Sequence, residues 1–140
     1  MTQLDEFVDI FDLLGDWDQR YQYLIEMGEK LPSMADRLKI DENKVKGCMS
    51  QVWIDASAKD GVISFDGDSD TSVIKGILAL LISLCDGLSA EQIQNLDMDE
   101  VFRRLNLDEH LSPNRHVGVY AMFDLMKQKA DDAEKRARAA

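Results

Sequence analysis

Cysteine is scarce in this chain: two residues, Cys48 and Cys85, occur in 140, and they form no CxxC pair. That argues against a disulfide-built scaffold. Cys48, Cys85, His110 and His116 are the only cysteines and histidines, and their spacings match no zinc signature, so no metal site is expected. Long apolar runs are also missing. The most apolar stretch, Ile77 to Cys85, falls far short of the roughly 20 residues that cross a bilayer. The opening MTQLDEFVDIF has no basic region ahead of an apolar core and no small-residue cleavage pattern, so it does not read as a signal peptide. The expectation is a soluble, cytoplasmic protein. Positive charge is short too, with 16 Lys and Arg against 27 Asp and Glu and a net charge of −11. Such a surface repels phosphate backbones and anionic lipid, which disfavours nucleic-acid and membrane partners and favours a cationic protein patch. No glycine-rich phosphate loop, Ser-His-Asp order or paired-carboxylate motif stands out, and no cofactor is expected.

What remains is an ordinary globular balance, 45% hydrophobic and 31% charged, long enough for one domain over 1–140 with a substantial core. Leu4, Phe7, Val8, Phe11 and Leu14 share one face at helical spacing, and Gly15 stops that helix. Asp16 with Gln19 opens a second helix, whose buried stripe is Trp17, Tyr21, Leu24, Ile25 and Gly28 and which ends at Leu31-Pro32. A short helical turn is expected over Met34 to Leu38. The pattern then changes. Lys44-Val45-Lys46 and Ser50 to Ile54 read as two strands meeting at a tight tip around Gly47-Cys48, and Asp60-Gly61 leads into a third, Val62 to Phe65. Helix returns from Thr71 to about Cys85, capped by Ser69 or Asp70 and apolar on nearly all sides, as a helix in mid-core must be. Gly87 closes it. Ser89 with Gln92, Asp97 with Glu100, and Ser112-Pro113 open further helices, the last fraying over Asp131 to Ala140. The fold class is α+β: an antiparallel sheet of about three strands, with helices packed on one face.

Cys48 is the candidate for chemistry. A thiolate that exchanges sulfur with another protein must reach into that protein's site, and a loop tip beside glycine provides the reach. Lys44 and Lys46, cations in an acidic chain, would favour the thiolate. The bland alternative is a small packed residue at a turn, and the residues alone leave both readings open. If the sulfur is sheltered at rest, Met49 and Trp53 offer apolar cover. Cys85, ending the most apolar helix beside Leu81, Ile82 and Leu84, reads as a packing residue. Met27, Met34, Met49, Met98, Met122 and Met126 read as core or interface filler.

Four segments in order resemble the SufE family over nearly the whole chain. They are Asp16-Trp17, Arg20-Tyr21, Ile25 to Gly28 and Leu31-Pro32; then Gly47-Cys48-Met49-Ser50-Gln51-Val52-Trp53; then Asp68-Ser69-Asp70 with Lys75-Gly76; then Leu111 to Arg115 with Gly118. The second is the most specific. The resemblance implies a fold like the IscU-type scaffolds, although this chain lacks their three metal-ligand cysteines. It also implies a persulfide shuttle: Cys48 takes sulfur from a pyridoxal-phosphate-dependent cysteine desulfurase, stimulates that enzyme and passes sulfur to an iron–sulfur scaffold complex. Gly47, Gln51, Asp70 and Arg115 are the implied supporting or partner-binding residues, in a monomer or weak homodimer. The CsdE paralogue group, which serves a different desulfurase, shares these motifs.

Physical chemistry gives two of these residues roles of their own. Asp70 is placed to cap the core helix. Arg115 falls in the first turn of the last helix, where the dipole disfavours a cation. It would then pair with a carboxylate near the tip or with the partner. Plain helix-end structure is the alternative for both. Two rival functions stand beside the shuttle. One is a stand-alone thiol enzyme, which needs a base close to Cys48. The other is a non-catalytic interaction module in which Cys48 is incidental.

Overall fold

The apolar stripe that begins at Leu4 becomes helix α1 (Gln3–Leu14), closed at the amino end by a capping box between Thr2 and Asp5. Gly15, at φ 79°, turns the chain into α2 (Trp17–Lys30), where the Asp16 carboxylate accepts the Gln19 N–H. These elements come from a computed structural model that describes residues 2–140. Two short 3-10 turns follow, Asp36–Leu38 and Asp41–Asn43.

Among the described residues the sheet has two strands, β1 (Val52–Lys59) and β2 (Val62–Ser69), paired antiparallel around the Asp60-Gly61 turn. Both turn residues have positive φ, as a two-residue hairpin requires. The expected first strand shrinks to one bridge, Lys44 opposite Trp53. The reason is local. The 3-10 turn up to Asn43 and the bend at Lys46-Gly47 leave too little extended chain between them for a ladder. The third expected strand instead runs on to Ser69, four residues beyond Phe65.

Val52, Ile54 and Ala56 of β1 and Ile63 and Gly67 of β2 point to one buried face. Helix α3 (Ser72–Leu84) lies over β2, so close that a methyl at Gly67 would meet Leu78 at 2.8 Å. Eight of its thirteen residues are buried, which places it in mid-core. Each fully buried Leu or Ile there contributes about 1.5–3 kcal/mol relative to exposure. Thr71, not Ser69 or Asp70, occupies the cap position of α3, and its side chain makes no capping bond. On the far side, α2 crosses α3 backbone to backbone. A Cβ on Gly76 would sit 2.1 Å from the Leu24 carbonyl, and one on Gly28 would sit 2.8 Å from the Gly76 nitrogen. No side chain fits either point.

After Gly87, at φ 76°, come α4 (Ala90–Gln94), α5 (Met98–Arg104), a one-turn α6 (Leu107–His110) and α7 (Pro113–Ala139). The Ser89, Asp97 and Ser112 side chains accept the first free N–H groups of α4, α5 and α7. Helix α7 lies across β1, burying Val119, Met122, Phe123, Met126, Ala130 and Ala133. It runs straight through the stretch expected to fray. Ala133 is buried there, and Arg136 donates to the Ala56 carbonyl of β1 at 3.2 Å.

No helix among the described residues is long and apolar enough to cross a membrane.

Candidate functional site

Between the Lys44–Trp53 bridge and β1 the chain makes a narrow loop, 46–51. The Val45 N–H donates to the Val52 carbonyl at 2.8 Å, which pins its base. Gly47 sits at φ +86°, a conformation L side chains rarely adopt, so the bend that presents Cys48 depends on glycine. The outgoing arm is tied to the start of α3. Gln51 N–H donates to Asp70 Oδ1 at 3.1 Å, Asp70 N–H returns to the Gln51 carbonyl at 3.2 Å, and the Thr71 hydroxyl lies 2.8 Å from Ser50 Oγ. Asp70 is thus a loop anchor rather than a helix cap. Gln51 enters the arrangement through its backbone, with its side chain exposed.

Cys48 is half-buried. Its sulfur rests against α7 at Gly118, where an added Cβ would come 2.9 Å from Sγ. Beside it opens a cleft of about 190 Å³, lined by Cys48, Met49, Ser50 and Ile74 on one side and by Ser112, Asn114 and Arg115 of the α7 start on the other. The cover differs from the expected one. Met49 stands at the rim, 83% exposed. Trp53 is not part of the lining and packs instead under the Lys39 ammonium, 5.4 Å from its ring centre. Met49 is thus not core filler, whereas Met34, Met98, Met122 and Met126 are buried and Met27 packs partly buried against the core.

Arg115 is exposed in the first turn of α7, with its own N–H donated to Ser112 Oγ at 3.3 Å. Among the described residues its guanidinium forms no ion pair, so a carboxylate near the tip does not explain it. The structure brings Gly47, Cys48, Gln51, Asp70 and Arg115 to one end of the molecule. Cys48 and Arg115 share the cleft, Gly47 and Gln51 shape the loop, and Asp70 holds it. Behind Asp70, Asp68 pairs with Lys39 at 3.2 Å and Lys75 at 3.3 Å. Burial alone would raise the Asp68 pKa, but the Ser69 N–H and the two ammonium groups outweigh it and hold the carboxyl below its ordinary range.

Cys85 lies elsewhere. It is fully buried at the carboxyl end of α3, and burial pushes its thiol from 9.0 up to about 12. His110 lies tilted by 32° against Trp17 with ring centres 4.1 Å apart, and His116 stacks on Tyr120 at 5.1 Å. Neither lines the Cys48 cleft. Among the described residues no three His, Cys, Asp or Glu side chains gather as a metal-ligand set.

Gly118, Ser50, Thr71 and Ile74 are site residues that the sequence did not assign. For Gly118 the available signals were an isolated glycine inside an otherwise helical run and its place after the last motif. Ser50 lies two residues from Cys48 in the same loop, and Thr71 and Ile74 reach the site only through tertiary contact.

The family model described as "SufE: Fe-S metabolism associated domain" matches residues 5–130. An uncharacterised SufE-like protein of Rhizobium meliloti (strain 1021) is 37% identical over 135 residues, covering 94% of this chain and 96% of its own. One from Rhizobium etli is 38% identical over 134 residues, covering 93% and 90%. The solution structure of a hypothetical protein from Thermus thermophilus superposes with a TM-score of 0.78 at 19% identity, over 96% of this chain and 99% of that one, and shares the fold. A match across most of the length, in the family model and in both relatives, makes this chain a member of the SufE family, a family associated with iron–sulfur metabolism.

Proposed function

We propose that the protein is a cytoplasmic sulfur acceptor, one domain over 1–140, in which Cys48 receives persulfide sulfur from a pyridoxal-phosphate-dependent cysteine desulfurase. The observation that carries this reading is the placement of the Cys48 sulfur: at the tip of a glycine-bent loop, half-buried, beside a cleft with room for further atoms. In the transfer, the Cys48 thiolate attacks the outer sulfur of the donor persulfide. A new S–S bond forms on Cys48, the donor S–S bond breaks, and the donor cysteine leaves as thiolate with the electron pair. The proton on the transferred sulfur either stays or is lost to water. No net redox change occurs.

The chain's own residues fit parts of this task. A persulfide S–S bond is about 2.05 Å long, so the terminal sulfur fits within the cleft. There the unpaired Arg115 guanidinium and the Asn114 amide supply donors for its negative charge. Gly47 lets the loop bend, and the Asp70–Gln51 pair fixes the arm about which it bends. The net charge of −11 suits a cationic docking surface on the desulfurase. Delivery to an iron–sulfur scaffold complex completes the reading, with the protein acting as monomer or weak homodimer and with no cofactor of its own. A stand-alone thiol enzyme is less well supported, since among the described residues no carboxylate or imidazole lines the cleft to act as base.

The test is desulfurase turnover. Alanine formation from L-cysteine should rise when this protein is added and should not rise with Cys48→Ser, whose unfolding transition should match the parent's. A serine variant that stimulates as well as the parent overturns the reading.

A further inference from the structure

Four glycines of this fold are buried against a neighbour that a methyl group would strike, but the neighbours differ in kind, and at Gly67 it is the Leu78 side chain of the core helix. At Gly28 and Gly76 the obstacle is the backbone of a facing helix. At Gly118 the three nearest atoms to an added Cβ all belong to one residue on a loop: Cys48 Sγ at 2.9 Å, Cβ at 3.5 Å and Cα at 3.7 Å. Contacts under 3.0 Å are ones that real Cβ atoms essentially never make. Gly118 is also interior to a 27-residue helix, where glycine is among the least favourable residues and alanine the most favourable. Nothing in the backbone of α7 calls for glycine there, since Gly118 is not at positive φ and the three atoms nearest an added Cβ all belong to Cys48.

We infer that Gly118 is a positioning residue that forms the seat of the Cys48 sulfur, and that its missing side chain sets whether this thiol rests against α7 or stands out in solvent. The element that gives way is the loop. Cys48 Sγ is the end of a side chain at the loop tip, next to a glycine at positive φ, whereas α7 is packed along β1. A methyl at 118 would therefore displace the sulfur rather than the helix. Loop openings of this kind have low free energy compared with global unfolding. The inference concerns the resting thiol and holds whether or not a desulfurase is the partner. Its consequence for a persulfide, that losing the seat leaves the outer sulfur open to free thiols, rests on the function proposed above.

The experiment uses the full chain without any desulfurase, so its failure is separable from failure of that reading. Cys48 is alkylated with a bulky maleimide in the parent and in Gly118→Ala, with peptide mapping to separate it from Cys85. The variant should react about tenfold faster or more, because the opening step no longer has to break the seat. Thermal unfolding is followed in parallel through a cycle with Cys48→Ala. Gly118→Ala should lower the midpoint beside Cys48 and should leave it unchanged or raise it beside Cys48→Ala, where the sulfur is gone and the helix preference of alanine acts unopposed. A Gly118→Ala protein that fails to fold while the double variant folds also places the conflict on the sulfur and supports the seat. Equal alkylation rates in parent and variant overturn the inference. So does a cycle in which Gly118→Ala is equally damaging with and without the sulfur.

Discussion

Cys48 and Cys85 are 37 positions apart and lie near opposite ends of the same core helix, and their surroundings differ at every level. Cys85 closes α3, after the buried Leu81 and Leu84 of the same helix, and is itself fully buried. Cys48 sits on six residues of loop, held at the base by one backbone bond and along one arm by Asp70, with a cleft at its side. For Cys85, burial removes the charged form and the thiol becomes a small hydrophobe. For Cys48, the chain leaves room beside the sulfur and, among the described residues, leaves an arginine there without an ion pair. The pair teaches that the reactivity of a cysteine is set by what the fold withholds from it as much as by what it supplies.

The largest expected contrast is in small-reagent alkylation. With its thiol at about 12 rather than 9.0, Cys85 carries ~1000-fold less thiolate than an ordinary cysteine at neutral pH, on top of having no path to solvent. Iodoacetamide applied to the native protein should label Cys48 and leave Cys85 untouched, until denaturant makes the two equal. Labelling of Cys85 at a comparable native rate would remove the distinction.

Next in size is the stability that each site holds. Cys85→Ser puts a hydroxyl where nothing apolar can satisfy it, at a cost of about 1–3 kcal/mol. The same exchange at half-exposed Cys48 should stay within about 0.5 kcal/mol. Chemical denaturation of the two serine variants gives the comparison directly. A Cys48→Ser protein as damaged as Cys85→Ser would show that the loop site is structural.

A third prediction separates the cleft from the core. Among the described residues Arg115 has no ion pair to lose, so Arg115→Ala should leave the unfolding midpoint close to the parent's. Sulfur acceptance should fall about tenfold, the worth of one charge-assisted hydrogen bond. Arg115→Lys, which keeps the charge without the planar fork, should recover part of it. Unchanged acceptance in the alanine variant would assign Arg115 to helix-end structure alone.

Smallest is a pH effect at the Cys48 end of α3. Asp68 is held below its ordinary range by Ser69 N–H, Lys39 and Lys75 despite its burial. A carboxyl depressed on folding contributes stability above its unfolded value near 4, and that contribution is lost as pH falls through the lower folded value. Stability should therefore drop on acidification below about pH 4, and Asp68→Asn should flatten that drop. The two ammonium groups are partly exposed, so the contribution at neutral pH is about 1 kcal/mol or less. Identical acid profiles for parent and variant would remove Asp68 from the anchoring of this end.

Much of the fold was legible in the residues because its signals are local. Asp16 with Gln19, Ser89 with Gln92, Asp97 with Glu100 and Ser112 before Pro113 mark helix starts through side chains three positions from their targets. Asp60-Gly61 marks the hairpin for the same reason. One error lies in a local competition, and the others lie where distance along the chain decides. Lys44 to Lys46 has strand composition, yet flanking turns leave it one bridge. Asp70 is well placed to cap α3, but a carboxylate has alternatives, and an N–H 19 positions back in the loop claims it. The polar tail past Asp131 stays helical because Arg136 finds the Ala56 carbonyl, 80 positions away. At the site, Cys48 was legible through its motif; Gly118 also fell in a motif but was given no role, since its contact with Cys48 spans two elements.

The account turns on one sulfur atom arriving at one position. The protein is mixed with a cysteine desulfurase and L-cysteine, excess thiols are blocked, and the mass of each cysteine-bearing peptide is measured. The account predicts a single added sulfur on the peptide bearing Cys48, its disappearance in Cys48→Ser, and none at any time on the peptide bearing Cys85. Sulfur found on Cys85, or a Cys48 peptide that stays at its unmodified mass while the desulfurase turns over, would contradict it.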